Sequence, residues 1–84
     1  MANKRDLKKA LNFMVEEIIH DCFVSQSYDP ATEDASNAII TQAITLNNNA
    51  LTKINTAKNK AEMKAVVAEI EAGSVELFKK LETL

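Results

Sequence analysis

Apolar residues recur at three- and four-residue spacing through three long stretches of the chain, and polar residues fill the positions between them. In the first stretch Leu7, Leu11, Met14, Ile18 and Cys22 share one side of a helix, and Ala10, Val15 and Ile19 widen that stripe to the breadth of a core-facing surface. Asn3 suits the N-cap, with Asp6 three residues later in the capping-box place. The pattern fades over Ser25-Gln26-Ser27-Tyr28, and Asp29-Pro30 reads as a turn, because proline fixes its own φ and disfavours helix in the residue before it. A first helix over about 4–26 follows.

A second helix over 32–55 has Thr32 as candidate cap and Glu33 and Asp34 at the positive end of its dipole. Its inward residues are Ala35, Ile39, Ile40, Ala43, Leu46, Ala50, Leu51 and Ile54. The signal lapses across Asn55-Thr56-Ala57-Lys58. Asn59 and Glu62 then form a capping pair, and Met63, Val66, Val67, Ile70, Leu77, Phe78, Leu81 and Leu84 carry a third helix over 60–83. Rods of about 22 residues are roughly 33 Å long. Short connections between rods of equal length make an all-α antiparallel three-helix bundle, one domain over 1–84.

Gly73 and Ser74 interrupt the third stripe, and a break there would give a four-helix alternative. The stripe keeps its phase across the pair, which predicts one continuous helix in which the small residues make room for a bulky neighbour such as Phe23. Asn47 is the polar residue set near the middle of an otherwise apolar stripe. It reads as an edge residue or as a buried amide that fixes helix register.

Composition sharpens this picture. One glycine and one proline in 84 residues leave few helix breakers. Cys22 is the only cysteine, so no internal disulfide forms, and a lone thiol fits a reducing, cytoplasmic setting. The hydrophilic opening predicts no secretory leader, and no uninterrupted apolar run is long enough to span a membrane. A net charge of −2 predicts no bulk attraction to nucleic acid or anionic lipid.

The opening Asn3-Lys4-Arg5-Asp6-Leu7-Lys8-Lys9, running into an apolar first helix with Cys22 near its end, resembles a family of short, uncharacterised bacterial helical-bundle proteins. The resemblance covers about the first quarter of the chain. It implies an all-α fold; that family carries no assigned activity, and the resemblance supplies no site residues.

The residues argue against most chemistry. Glu17-Ile18-Ile19-His20 has the Glu-x-x-His spacing of di-iron bundles, but such a centre needs a second copy of the motif, and His20 is the only histidine. Consecutive His20, Asp21 and Cys22 point about 100° apart at each step, so they do not converge on a metal or form a thiolate–imidazole pair. Cys22 falls on the apolar side and reads as a small hydrophobe. With one glycine there is neither a phosphate-cradling loop nor a nucleophile elbow. The expectation is a protein that is not an enzyme and uses no metal or cofactor.

Two surface features remain. In an antiparallel bundle the start of helix one, the end of helix two and the start of helix three share one end, gathering Lys4, Arg5, Lys8, Lys9, Lys53, Lys58, Lys60 and Lys64. Set against Asp6 and Glu62 alone, these give a local excess of +6 and leave −8 elsewhere. The cations on the first turns of helix one oppose its dipole, the kind of local mismatch that marks functional sites. Phosphates or an acidic partner would dock there, by backbone contact rather than base stacking, since no aromatic residue is interleaved. Separately, Phe13, Glu17, His20 and Val24 form a minor stripe on helix one opposite its apolar face, fit for a second copy or another protein. The leading expectation is a helical interaction module, self-associating or binding another protein. The alternative is a small nucleic-acid binder working through the basic end.

Overall fold

The computed structural model describes residues 3–84 and contains three α-helices, α1 (Lys4–Tyr28), α2 (Glu33–Thr56) and α3 (Lys60–Glu82), with a 3₁₀ turn at Pro30–Thr32. The molecule is a rod of 45 × 18 × 17 Å, about the length of its helices.

Each boundary has a local cause. The Asn3 side chain accepts from the Asp6 N–H at 2.8 Å and starts α1. At the far end the Asp29 N–H donates to the Ser25 carbonyl, while the Asp29 carboxylate accepts from the Ala31 N–H at 3.1 Å and shapes the turn around Pro30. Asn59 caps α3 by accepting from the Glu62 N–H at 2.9 Å. The Glu62 carboxylate reaches back to the Lys58 N–H, one residue beyond the usual capping-box partner.

Cross-helix bonds fix the chain direction. Gln26 near the end of α1 donates to Ser36 near the start of α2, and Lys4 at the start of α1 donates to the Asn55 carbonyl at the end of α2. Lys53 pairs with Glu69, and Gln42, 11 residues earlier on α2, accepts from Lys80, 11 residues later on α3. Successive helices are therefore antiparallel, and α1 packs more extensively on α2 than on α3.

The core is built from Leu11, Val15, Ile18 and Cys22 of α1, Ile39, Ala43, Ala50 and Ile54 of α2, and Val66, Ile70 and Leu77 of α3. Leu7, Met14, Ile19, Ile40, Leu46, Leu51, Phe78, Leu81 and Leu84 flank it, half-buried. Ala57, in the connection where the apolar pattern lapses, is buried as well. Ala10 is exposed, because one step along a helix turns it about 100° away from Leu11.

Besides Ala10, four expectations need correction. The helix bounds move by one or two residues, and α1 continues through Tyr28 because polar pairs replace apolar contact there: the Gln26 amide donates to Ser36 Oγ at 2.6 Å and to Asn37 Oδ1 at 2.8 Å. Ser36, not Ala35, is the inward residue; it is fully buried, with its hydroxyl donated to the Glu33 carbonyl. Thr32 precedes α2 without capping it, since its hydroxyl is engaged by the Asp29 carbonyl and Ser25. Finally, the neighbour of Gly73 is Leu46 rather than Phe23; α3 itself runs unbroken through Gly73, as the phase of its stripe predicts, and the four-helix alternative is excluded. Phe23 is 58% exposed.

Asn47 is half-buried, and its side-chain oxygen is buried with no hydrogen-bond partner among the described residues. An orphaned acceptor of this kind costs about 1–3 kcal/mol. Asn47→Leu removes it and improves helix propensity, so a thermal melt should show a gain of about 1 kcal/mol, or roughly 4–8 °C in Tm.

Candidate interaction surfaces

The basic end is assembled by the helix directions just described. Lys4, Lys58, Lys60 and Lys64 line one cavity of about 490 Å³, together with Asn3, Met63, Val67, Ala68 and Glu71. Its floor is apolar and its rim cationic. Lys4 also donates to the Asn55 carbonyl at 3.3 Å, a favourable place for a cation because the last carbonyls of α2 carry the negative end of its dipole. Arg5 and Lys9 are exposed on the first turns of α1, and Lys8 is half-buried between them.

Lys53 does not face solvent as a free cation. It forms an ion pair with Glu69, and Glu71 enters the cavity wall, two acids that a count by helix ends leaves out. With Asp6, Glu62, Glu69 and Glu71 set against the eight cations, the excess at this end is +4, and the remainder of the molecule carries −6. The molecule is bipolar, but less so than the sequence suggests. The gap between α1 and α3 reopens at the other end, where a cavity of about 380 Å³ lies between Asp21 and Ser25 of α1 and Phe78, Leu81 and Glu82 of α3.

The minor stripe of α1 lies on the side of the helix away from the core. At 100° per residue Phe13, Glu17, His20 and Val24 fall within an arc of about 60°, roughly opposite the middle of the buried line Leu11, Val15, Ile18 and Cys22. All four are exposed, Phe13 by 71% and Val24 by 39%. Neither Glu17 nor His20 has an ion-pair partner among the described residues, whose ion pairs are Lys53–Glu69 and Lys80–Glu76. Further exposed apolar side chains are Phe23, which the sequence places inward beside Gly73, and Tyr28, Ile44 and Val75, which the sequence does not single out as surface features. The only available signal was phase: each sits off the inward stripe of its helix.

Cys22 is fully buried in the core. Burial pushes its thiol pKa up, and the neighbouring Asp21 charge pushes it further, so the reactive thiolate is suppressed. No three His, Cys, Asp or Glu side chains among the described residues are grouped so as to hold a metal ion. No helix of the described residues is long and apolar enough to cross a membrane. No family model matches the chain, and no curated protein or solved structure matches it significantly.

Proposed function

We propose that this chain is a non-enzymatic helical interaction module that works through the outer face of α1, by self-association or by docking another protein. The supporting observation is Phe13: an aromatic ring 71% exposed in the middle of a helix whose opposite side forms the core. Around it Val24 supplies a second apolar group, and Glu17 and His20 supply ionisable groups with no ion-pair partner among the described residues. A ring buried in an interface contributes about 1.5–3 kcal/mol, and in a symmetric dimer the contribution is made twice. Light scattering at tens of micromolar should therefore report a dimer, and Phe13→Asp should weaken it at least about a hundredfold, giving monomer. A wild-type chain that is monomeric at that concentration removes self-association. The lone buried thiol supports a reducing, cytoplasmic setting.

One observation favours a second reading, a phosphate-backbone binder. Lys4, Lys58, Lys60 and Lys64 line the same cavity, and none of them has an ion-pair partner among the described residues. Binding to mixed-sequence DNA or RNA through these lysines should fall steeply between low and moderate salt, since each phosphate contact releases counterions. No binding at low salt ends this reading, whereas apolar docking through α1 survives screening.

A further inference from the structure

The outer face of α1 extends beyond the four residues of the minor stripe. Ala10, Phe13, Glu17, His20, Val24 and Ser27 follow one another at spacings of three, four, three, four and three residues, the a/d repeat of a helix–helix seam. All six are exposed.

We infer that the partner of this face is a second copy of the chain, its α1 running antiparallel about a two-fold axis beside the Ile18–Ile19 peptide. The inference rests on the self-association reading above and specifies its geometry. Ala10 and Ser27, Phe13 and Val24, and Glu17 and His20 are three pairs that lie at equal distances on either side of that one point. An antiparallel copy centred there sets small opposite small, large apolar opposite large apolar, and carboxylate opposite imidazole, each contact occurring twice as an isologous interface requires.

The competing arrangements are poorer. A parallel copy in register opposes Glu17 to Glu17 and His20 to His20, and it stacks the two basic ends together. An antiparallel copy slipped by one heptad sets Phe13 against Glu17 or leaves it without an apolar partner. In the proposed register the long-range charges also agree, because Arg5 and Lys9 of one copy approach Asp29 and Glu33 of the other, and the basic end of each rod lies along the acidic remainder of its partner. A carboxylate–imidazole pair at the centre of the seam costs affinity compared with leucines, and in exchange it specifies orientation and register.

Disulfide trapping of the 84-residue chain tests the geometry, with sedimentation measuring association in parallel. Under mild oxidation A10C/S27C should form a covalent dimer, while A10C and S27C alone should not, since like positions lie about 25 Å apart in the antiparallel register and a disulfide spans no more than about 7 Å between Cα atoms. Cys22 is buried and does not compete. Substitution at these exposed positions leaves the core untouched. Independently, E17K and H20E should each weaken the dimer about tenfold, and E17K/H20E should restore it, because only the antiparallel register opposes the two exchanged charges. A dimer cross-linked by A10C alone, or one not restored by the charge exchange, overturns the register while the α1 interface stands. A monomer in sedimentation overturns both.

Discussion

Ile54→Ala should lower the melting temperature by about 15 °C, close to unfolding the chain at physiological temperature. Ile54 is fully buried near the end of α2, within a core made of residues from all three helices. Truncating a buried isoleucine costs about 2–5 kcal/mol, from the lost transfer free energy and from the cavity left behind. A chain of this size has a total stability of only about 4–12 kcal/mol. No disulfide limits the loss, since Cys22 is the single cysteine. Ile44→Ala is the matched control: Ile44 is 46% exposed on the same helix, and its loss should change stability by less than about 0.5 kcal/mol. Circular dichroism melts at one fixed protein concentration give both values, with concentration held constant because self-association would add its own stabilisation. Equal effects at the two sites would mean that α2 does not present Ile54 to the core.

Gly73→Leu should destabilise the bundle by about 2–3 kcal/mol, while Gly73→Ala changes it little. A Cβ built on Gly73 lies 2.9 Å from Leu46 Cδ1 and 3.1 Å from Cδ2, closer than carbon atoms pack without one of them moving. The obstruction is the far end of a flexible, half-buried side chain, so alanine displaces it at a cost comparable to the roughly 1 kcal/mol of helix propensity that alanine gains over glycine. Leucine adds three more carbon atoms, which a rotamer change of Leu46 does not accommodate. Shortening the opposing residue should relieve the clash, so Gly73→Leu combined with Leu46→Ala should lose less than the two single losses added together. Urea unfolding of the four proteins measures that coupling. Additive losses would place Leu46 away from Gly73.

These two sites mark how far the sequence could be read. Helix number, order and most inward residues follow from the three-and-four spacing of Leu11, Ile18, Ile54, Val66 and Leu77, because burial on a helix follows phase. Phe23 is the instructive failure. Its hydrophobicity suggests an interior partner for Gly73, but it lies about 140° round the helix from Ile18, and phase prevails over residue type. Ser36 fails in the opposite sense: serine reads as polar, and its burial depends on Gln26, ten residues earlier, supplying a hydrogen bond. The charged end shows a third limit. Lys53 pairs with Glu69 well inside α3, so a count restricted to helix ends overstates the positive excess. The α1 stripe was visible from spacing alone; its exposure required the packing of α2 and α3 against the other side.

The functional reading depends on the outer face of α1 being where this chain meets its partner. Dilution of isotopically labelled protein from hundreds to a few micromolar, followed residue by residue by NMR, addresses that face directly. Concentration-dependent shifts should be centred on Phe13, Glu17, His20 and Val24 of α1, with Lys58, Lys60 and Lys64 unmoved. Shifts centred on those lysines would contradict it, and spectra unchanged across the whole range would remove self-association through that face.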